Sequence, residues 1–66
     1  MATYYVNNEQ QSNGDYEVHV ASCSYFPSNY TSLGDHNGCQ TAVAQANRTH
    51  SPANGCYYCC NACHTR

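Results

Sequence analysis

The chain has no lysine and no tryptophan, and its positive side chains at neutral pH are Arg48 and Arg66 alone. Gripping a phosphate backbone takes several cations on one face. Two arginines cannot supply them, so nucleic acid is an unfavourable partner, and adsorption to anionic lipid is disfavoured for the same reason. Long hydrophobic runs are missing as well. No stretch approaches the roughly 18 apolar residues of a membrane span, and no basic segment followed by an apolar one marks a signal peptide. These absences predict a cytoplasmic chain with no membrane partner.

Large apolar side chains are scarce too: Met1, Val6, Val18, Val20, Phe26, Leu33 and Val43. A 66-residue chain makes one domain at most, residues 1–66. A domain of that size buries only about 60% of its unfolded surface. A core this poor rarely contributes more than about 3–5 kcal/mol, so a staple is expected. What the chain does have is seven tyrosines, six cysteines and four histidines. The tyrosines must supply core area, and each hydroxyl then needs a partner or water. In a cytosolic protein, clustered cysteine points to metal or redox chemistry before disulfides.

Thr3–Val6 is β-branched and aromatic and reads as a strand. Tyr16–Val20 alternates, with Tyr16, Val18 and Val20 on one side and Glu17 and His19 on the other. Asn13-Gly14 supplies turn chemistry between them, which suggests a β-hairpin. Tyr30–Leu33 reads as a weak third strand. Cys39, Ala42, Val43 and Ala46 fall at i, i+3, i+4 and i+7, the stripe of a helix. Asn37 is its expected cap, with Gln40 three residues on, and the helix should stop near Arg48–His50, ahead of Pro52. Ser51–Gly55 reads as a loop. The expected fold is a small α+β unit: a β-hairpin or three-stranded antiparallel sheet, one helix and a C-terminal cysteine-rich knuckle.

Cys56-x-x-Cys59 turns two thiolates toward one ion, half of a tetrahedral zinc site. His19-x3-Cys23, at the end of the second strand, offers the other half. One histidine and three cysteines would close a structural site with no position left for water. The competing assignment is disulfides, and six cysteines allow fifteen pairings. That outcome would make the chain a secreted, disulfide-stapled mini-protein and move it outside the cell.

His19-x3-Cys23, the helix with Ala42 and Ala46, and Gly55-Cys56-x-x-Cys59 together resemble the small zinc modules related to the metal-binding domain of the Ada DNA-repair protein. They also resemble modules appended to some secreted bacterial nucleases. The resemblance covers roughly residues 16–59 and implies one Zn2+ held by His19, Cys23, Cys56 and Cys59. The chain departs from that pattern where basic residues would flank the C-x-x-C, since Tyr57 and Tyr58 stand there. The whole chain is also similar to short stand-alone bacterial proteins with YYVN near the start and NGCYYC…CHT at the end. An Ada-like nucleic-acid accessory role is therefore one alternative, weakened by the missing basic patch.

Cys39, Cys60, Cys63 and His64 could hold a second metal. Alternatively, Cys39 and Cys63 could oxidise together or pack as small hydrophobes, while Cys60 reads as exposed. Tyr57 and Tyr58 either cover the metal site and the sheet or form an aromatic contact surface. A thiol redox role would require a lowered thiol pKa at a helix N-terminus, and no helix follows the motif. Glu9, Asp15, Glu17 and Asp35 are scattered and read as a solvated surface. The combined expectation is a non-enzymatic zinc-stabilised module that binds a protein or a small polar ligand, with a homodimer as a further option.

Overall fold

Strand β1 (Ala2–Asn7) pairs antiparallel with strand β2 (Tyr16–Val20), placing Tyr4 opposite Val20 and Val6 opposite Val18. Val6 and Val18 are fully buried. Their β-branched side chains suit a pleated face packed against a second layer. The connection closes at Asn13-Gly14. Asn13 Oδ1 accepts the Asp15 N–H at 3.0 Å, and Gly14 adopts φ +95°, which a side chain would resist. The computed structural model describes residues 1–65.

Strand β3 (Tyr30–His36) runs antiparallel along the other edge of β1 and is longer than the expected Tyr30–Leu33. Its register slips between Tyr4 and Tyr5, opposite Gly34 at φ +80°. Helix α1 (Cys39–Ala46) follows at once. Because β3 continues to His36, only Asn37 and Gly38 remain to make the turn. Gly38, in extended backbone, is therefore the cap in place of Asn37, and no side chain caps the helix. At the other end, turn hydrogen bonds continue to His50, whose N–H donates to Ala46 O at 2.7 Å.

The main departure is strand β4 (Ala53–Gly55), in a stretch whose sequence reads as loop. It pairs parallel to β2, with Tyr16, Glu17 and Val18 beside Ala53, Asn54 and Gly55. The sheet is therefore four-stranded and mixed, in the order β3-β1-β2-β4, where an antiparallel hairpin or three-stranded sheet was expected. Ala-Asn-Gly carries no strand propensity; polar contacts hold it. Tyr16 N–H donates to Pro52 O at 2.9 Å, and Ala53 N–H donates to Asn47 Oδ1 at 2.9 Å. Buried Asn54 donates through Nδ2 to Asp15 Oδ2 at 3.2 Å. Asp15 is thus a buried structural acid, in contrast to the surface role expected of it.

Helix α1 lies on one face of the sheet. Cys39, Ala42 and Ala46 meet Tyr4, Val6, Val18 and Leu33 there, and Cys60 of the tail joins them. The opposite face carries an aromatic layer: the Tyr5 ring lies 5.2 Å from Phe26 and 5.3 Å from Tyr30. A short 3-10 turn (Asn61–Cys63) ends the described fold, and a Cys39–Cys63 disulfide ties it to the start of α1. The α+β class is as the sequence predicts, and no helix among the described residues is long and apolar enough to cross a membrane.

Candidate metal centre

The parallel pairing of β2 and β4 builds this site. Val18 lies beside Gly55, and Cys56 N–H donates to Val18 O at 3.0 Å. The next residue on β2 is His19 and the next after β4 is Cys56, so one register brings the two halves of the motif together. Close approach of the tail depends on Gly55. A Cβ there would stand 2.5 Å from Cys60 O and 2.8 Å from Cys63 Cβ. His64 Nδ1, 3.0 Å from Gly55 O, closes the tail over the strand.

His19, Cys23, Cys56 and Cys59 converge, with one donor atom from each lying within 4.8 Å of all the others. Two of the edges are informative. Cys23 Sγ and Cys56 Sγ are 3.8 Å apart, and Cys59 Sγ is 3.7 Å from His19 Nδ1. Tetrahedral zinc with Zn–S of about 2.3 Å and Zn–N of about 2.0–2.1 Å gives edges of about 3.8 Å for S···S and about 3.6 Å for S···N. The donor set therefore fits a four-coordinate ion in type, and these two edges match it in length.

Burial suits this role. His19 is 1% exposed, although its strand face points away from the helix, because Phe26 lies beside it at 6.3 Å between rings. Cys56 is buried, and Cys23 and Cys59 are half-buried. Burial lowers the His19 imidazole, with neighbouring Glu17 pulling in the opposite direction. Burial first, then the hydrogen bond with Cys23, pushes the Cys59 thiol well above its usual range. A divalent ion binds the thiolate, so its entry displaces the proton that burial holds on Cys59.

The remaining cysteines divide differently. Cys39 and Cys63 are joined, which removes two donors from any second site. Cys60, expected to be exposed, is 4% exposed and belongs to the core under the helix. Its neighbour Cys59 faces His19, from a turn closed by the Cys60 N–H donating to Cys56 O at 2.9 Å, and the two sulfurs lie 4.0 Å apart. Tyr57 and Tyr58 do not cover the sheet. They are 56% and 64% exposed, and Tyr58 stacks on Tyr25 with ring centroids 4.2 Å apart.

Two residues near the centre were read otherwise from the sequence: Glu17 as solvated surface and Asn54 as loop. Glu17 did leave a signal, because alternation puts it on the same strand face as His19. Comparison of the chain with protein-family models, curated proteins and solved structures finds no match. The geometry carries the functional reading.

Proposed function

We propose that the chain is a non-enzymatic binding module whose fold is clamped by one zinc ion on His19, Cys23, Cys56 and Cys59. The observation that carries this reading is the convergence of one imidazole and three thiols within 4.8 Å, with two of their edges at the length a zinc tetrahedron needs. Four protein ligands fill zinc's coordination shell, so the site is structural and offers no open position for substrate. Structural zinc supplies on the order of 10–16 kcal/mol in small peptides, well beyond what this core offers. The order of ligands around the helix, which resembles Ada-like modules, supports the same assignment. A thiol redox role is disfavoured because burial pushes Cys59 and Cys60 upward, where a redox thiol is pulled down.

The contact surface is the aromatic patch carried by the two ligand loops. Tyr25 follows Cys23 by two residues, and Tyr57 and Tyr58 stand between Cys56 and Cys59. Tyr57 meets Tyr58 edge-on at 5.1 Å. Exposed tyrosines give wide, rigid contact area at low entropic cost. With no lysine nearby, the patch suits a protein or a small polar ligand better than a nucleic-acid backbone.

A second reading rests on the Cys39–Cys63 disulfide. Disulfides persist in oxidising compartments, which favours a module that works outside the cytosol. Native mass spectrometry beside denatured and chelator-treated samples tests both readings. One zinc per chain, lost with chelator, together with a denatured mass two hydrogens short, is expected. A chain without metal and short by four or six hydrogens would replace the zinc module with a disulfide mini-protein.

A further inference from the structure

His19 has a neighbour at each ring nitrogen. Nδ1 faces Cys59 Sγ at 3.7 Å, and Nε2 lies 3.4 Å from Glu17 Oε1. We propose that Glu17 is the positioning residue of the metal centre: its carboxylate accepts the His19 Nε2–H and thereby makes Nδ1 the ligand nitrogen. The inference rests on the zinc reading above.

Neutral imidazole carries one proton, and a metal requires the bare nitrogen. A carboxylate on the far nitrogen fixes the tautomer and the ring plane and makes the ligand more basic. Strand geometry supplies that carboxylate without a loop: Glu17 and His19 are i and i+2 on β2, hence on one face. The segment is clamped from the side by β4, where Glu17 pairs with Asn54 and Val18 with Gly55. The Glu17 side chain is 18% exposed beside an imidazole at 1%, so water screens the contact only in part. Asp15, the other acid of this strand region, is turned to Asn54 instead.

The test compares the wild-type chain with Glu17→Gln, Glu17→Ala and Glu9→Gln, the last being an exposed acid that changes net charge equally. Zinc affinity is read by competition with a chromophoric chelator, and the imidazole tautomer by long-range nitrogen–proton NMR of the zinc-loaded protein. Loss of the carboxylate is expected to weaken zinc binding about 10–100-fold. Gln, which still accepts a hydrogen bond, should lie between Ala and wild type, and Glu9→Gln should match wild type. Nδ1 should carry the metal and Nε2 the proton. If Glu17→Ala does not fold, the near-isosteric Glu17→Gln still decides. Wild-type zinc binding with both Glu17 variants within about twofold of it, or ligation through Nε2, overturns the positioning role and leaves the zinc reading intact. A wild-type chain that takes up no zinc overturns both.

Discussion

Cys23 Sγ and Cys56 Sγ lie 3.8 Å apart across a sequence separation of 33 residues. Bringing two thiols so far apart in sequence to the edge length of a zinc tetrahedron costs loop entropy that the small core cannot offset alone. Metal binding is therefore expected to supply a large share of the folding stability. Cys23→Ser or Cys56→Ser should abolish stoichiometric zinc and lower the urea midpoint to that of the chelator-treated wild type. Cys60→Ala removes a buried thiol outside the tetrahedron. It should keep one zinc per chain and cost about 1 kcal/mol. Loss of zinc in Cys60→Ala with retention in Cys56→Ser would reassign the ligands.

The convergence of His19, Cys23, Cys56 and Cys59 was legible because C-x-x-C and H-x3-C are local spacings that let two side chains turn toward one point. The hairpin and helix were readable because Val6, Val18 and the Cys39–Ala46 stripe follow strand and helix periods. Strand β4 was not, since Ala53-Asn54-Gly55 lacks both propensity and alternation. Asn54 and Asp15 hold it by a buried polar contact between residues 39 apart, which local pattern cannot show. Cys60 was misjudged for a related reason. Its burial follows from the tail folding back beneath α1, a tertiary event fixed by Gly55 and the Cys39–Cys63 link.

That link spans a sequence separation of 24. Closing a loop of this length in the unfolded chain is worth about 3–4 kcal/mol in the chain-entropy picture. For so small a domain each kcal/mol moves the melting temperature by roughly 4–8 °C. The Cys39→Ala/Cys63→Ala double variant should therefore melt at least 10 °C lower, by roughly these scales, while still taking up one zinc. Calorimetry of the zinc-loaded proteins measures the difference; equal melting temperatures would show that the bridge adds nothing to the metal clamp.

Gly55 sits where tail and sheet touch. A methyl group there would stand 2.5 Å from Cys60 O and 2.8 Å from Cys63 Cβ. The first is backbone and cannot swing aside, so Gly55→Ala must push the tail off β4. Overpacking of this kind costs typically about 1–3 kcal/mol. Displacing Cys56 and Cys59 from His19 should add a loss of zinc affinity. Gly34→Ala is an informative comparison: it strains a backbone at φ +80° but meets no atom within 4 Å. It should lower stability without changing zinc affinity. Chelator competition on the two variants separates the effects, and equal affinities would mean the tail tolerates the shift.

Acid and alkali should act on the metal-free chain through different groups. Burial lowers the His19 imidazole. Its folded state takes up a proton at lower pH than the unfolded chain, which titrates near 6.5. That contribution to stability is full above about 6.5 and is lost as pH falls through the folded value. Burial raises the Cys59 and Cys60 thiols. The unfolded chain ionises them near about 8.5, so their contribution is full below that pH and fades as pH rises toward the folded values. Stability of the metal-free chain should therefore peak between the two limits. Zinc changes the alkaline side by replacing the thiol proton of Cys59 with a metal bond. The zinc-loaded chain should hold its stability above about pH 9 and lose it more steeply in acid, where protons compete for all four ligands. Urea midpoints across pH, with zinc and with chelator, measure both arms. Parallel curves with and without metal would show that zinc does not engage the thiols.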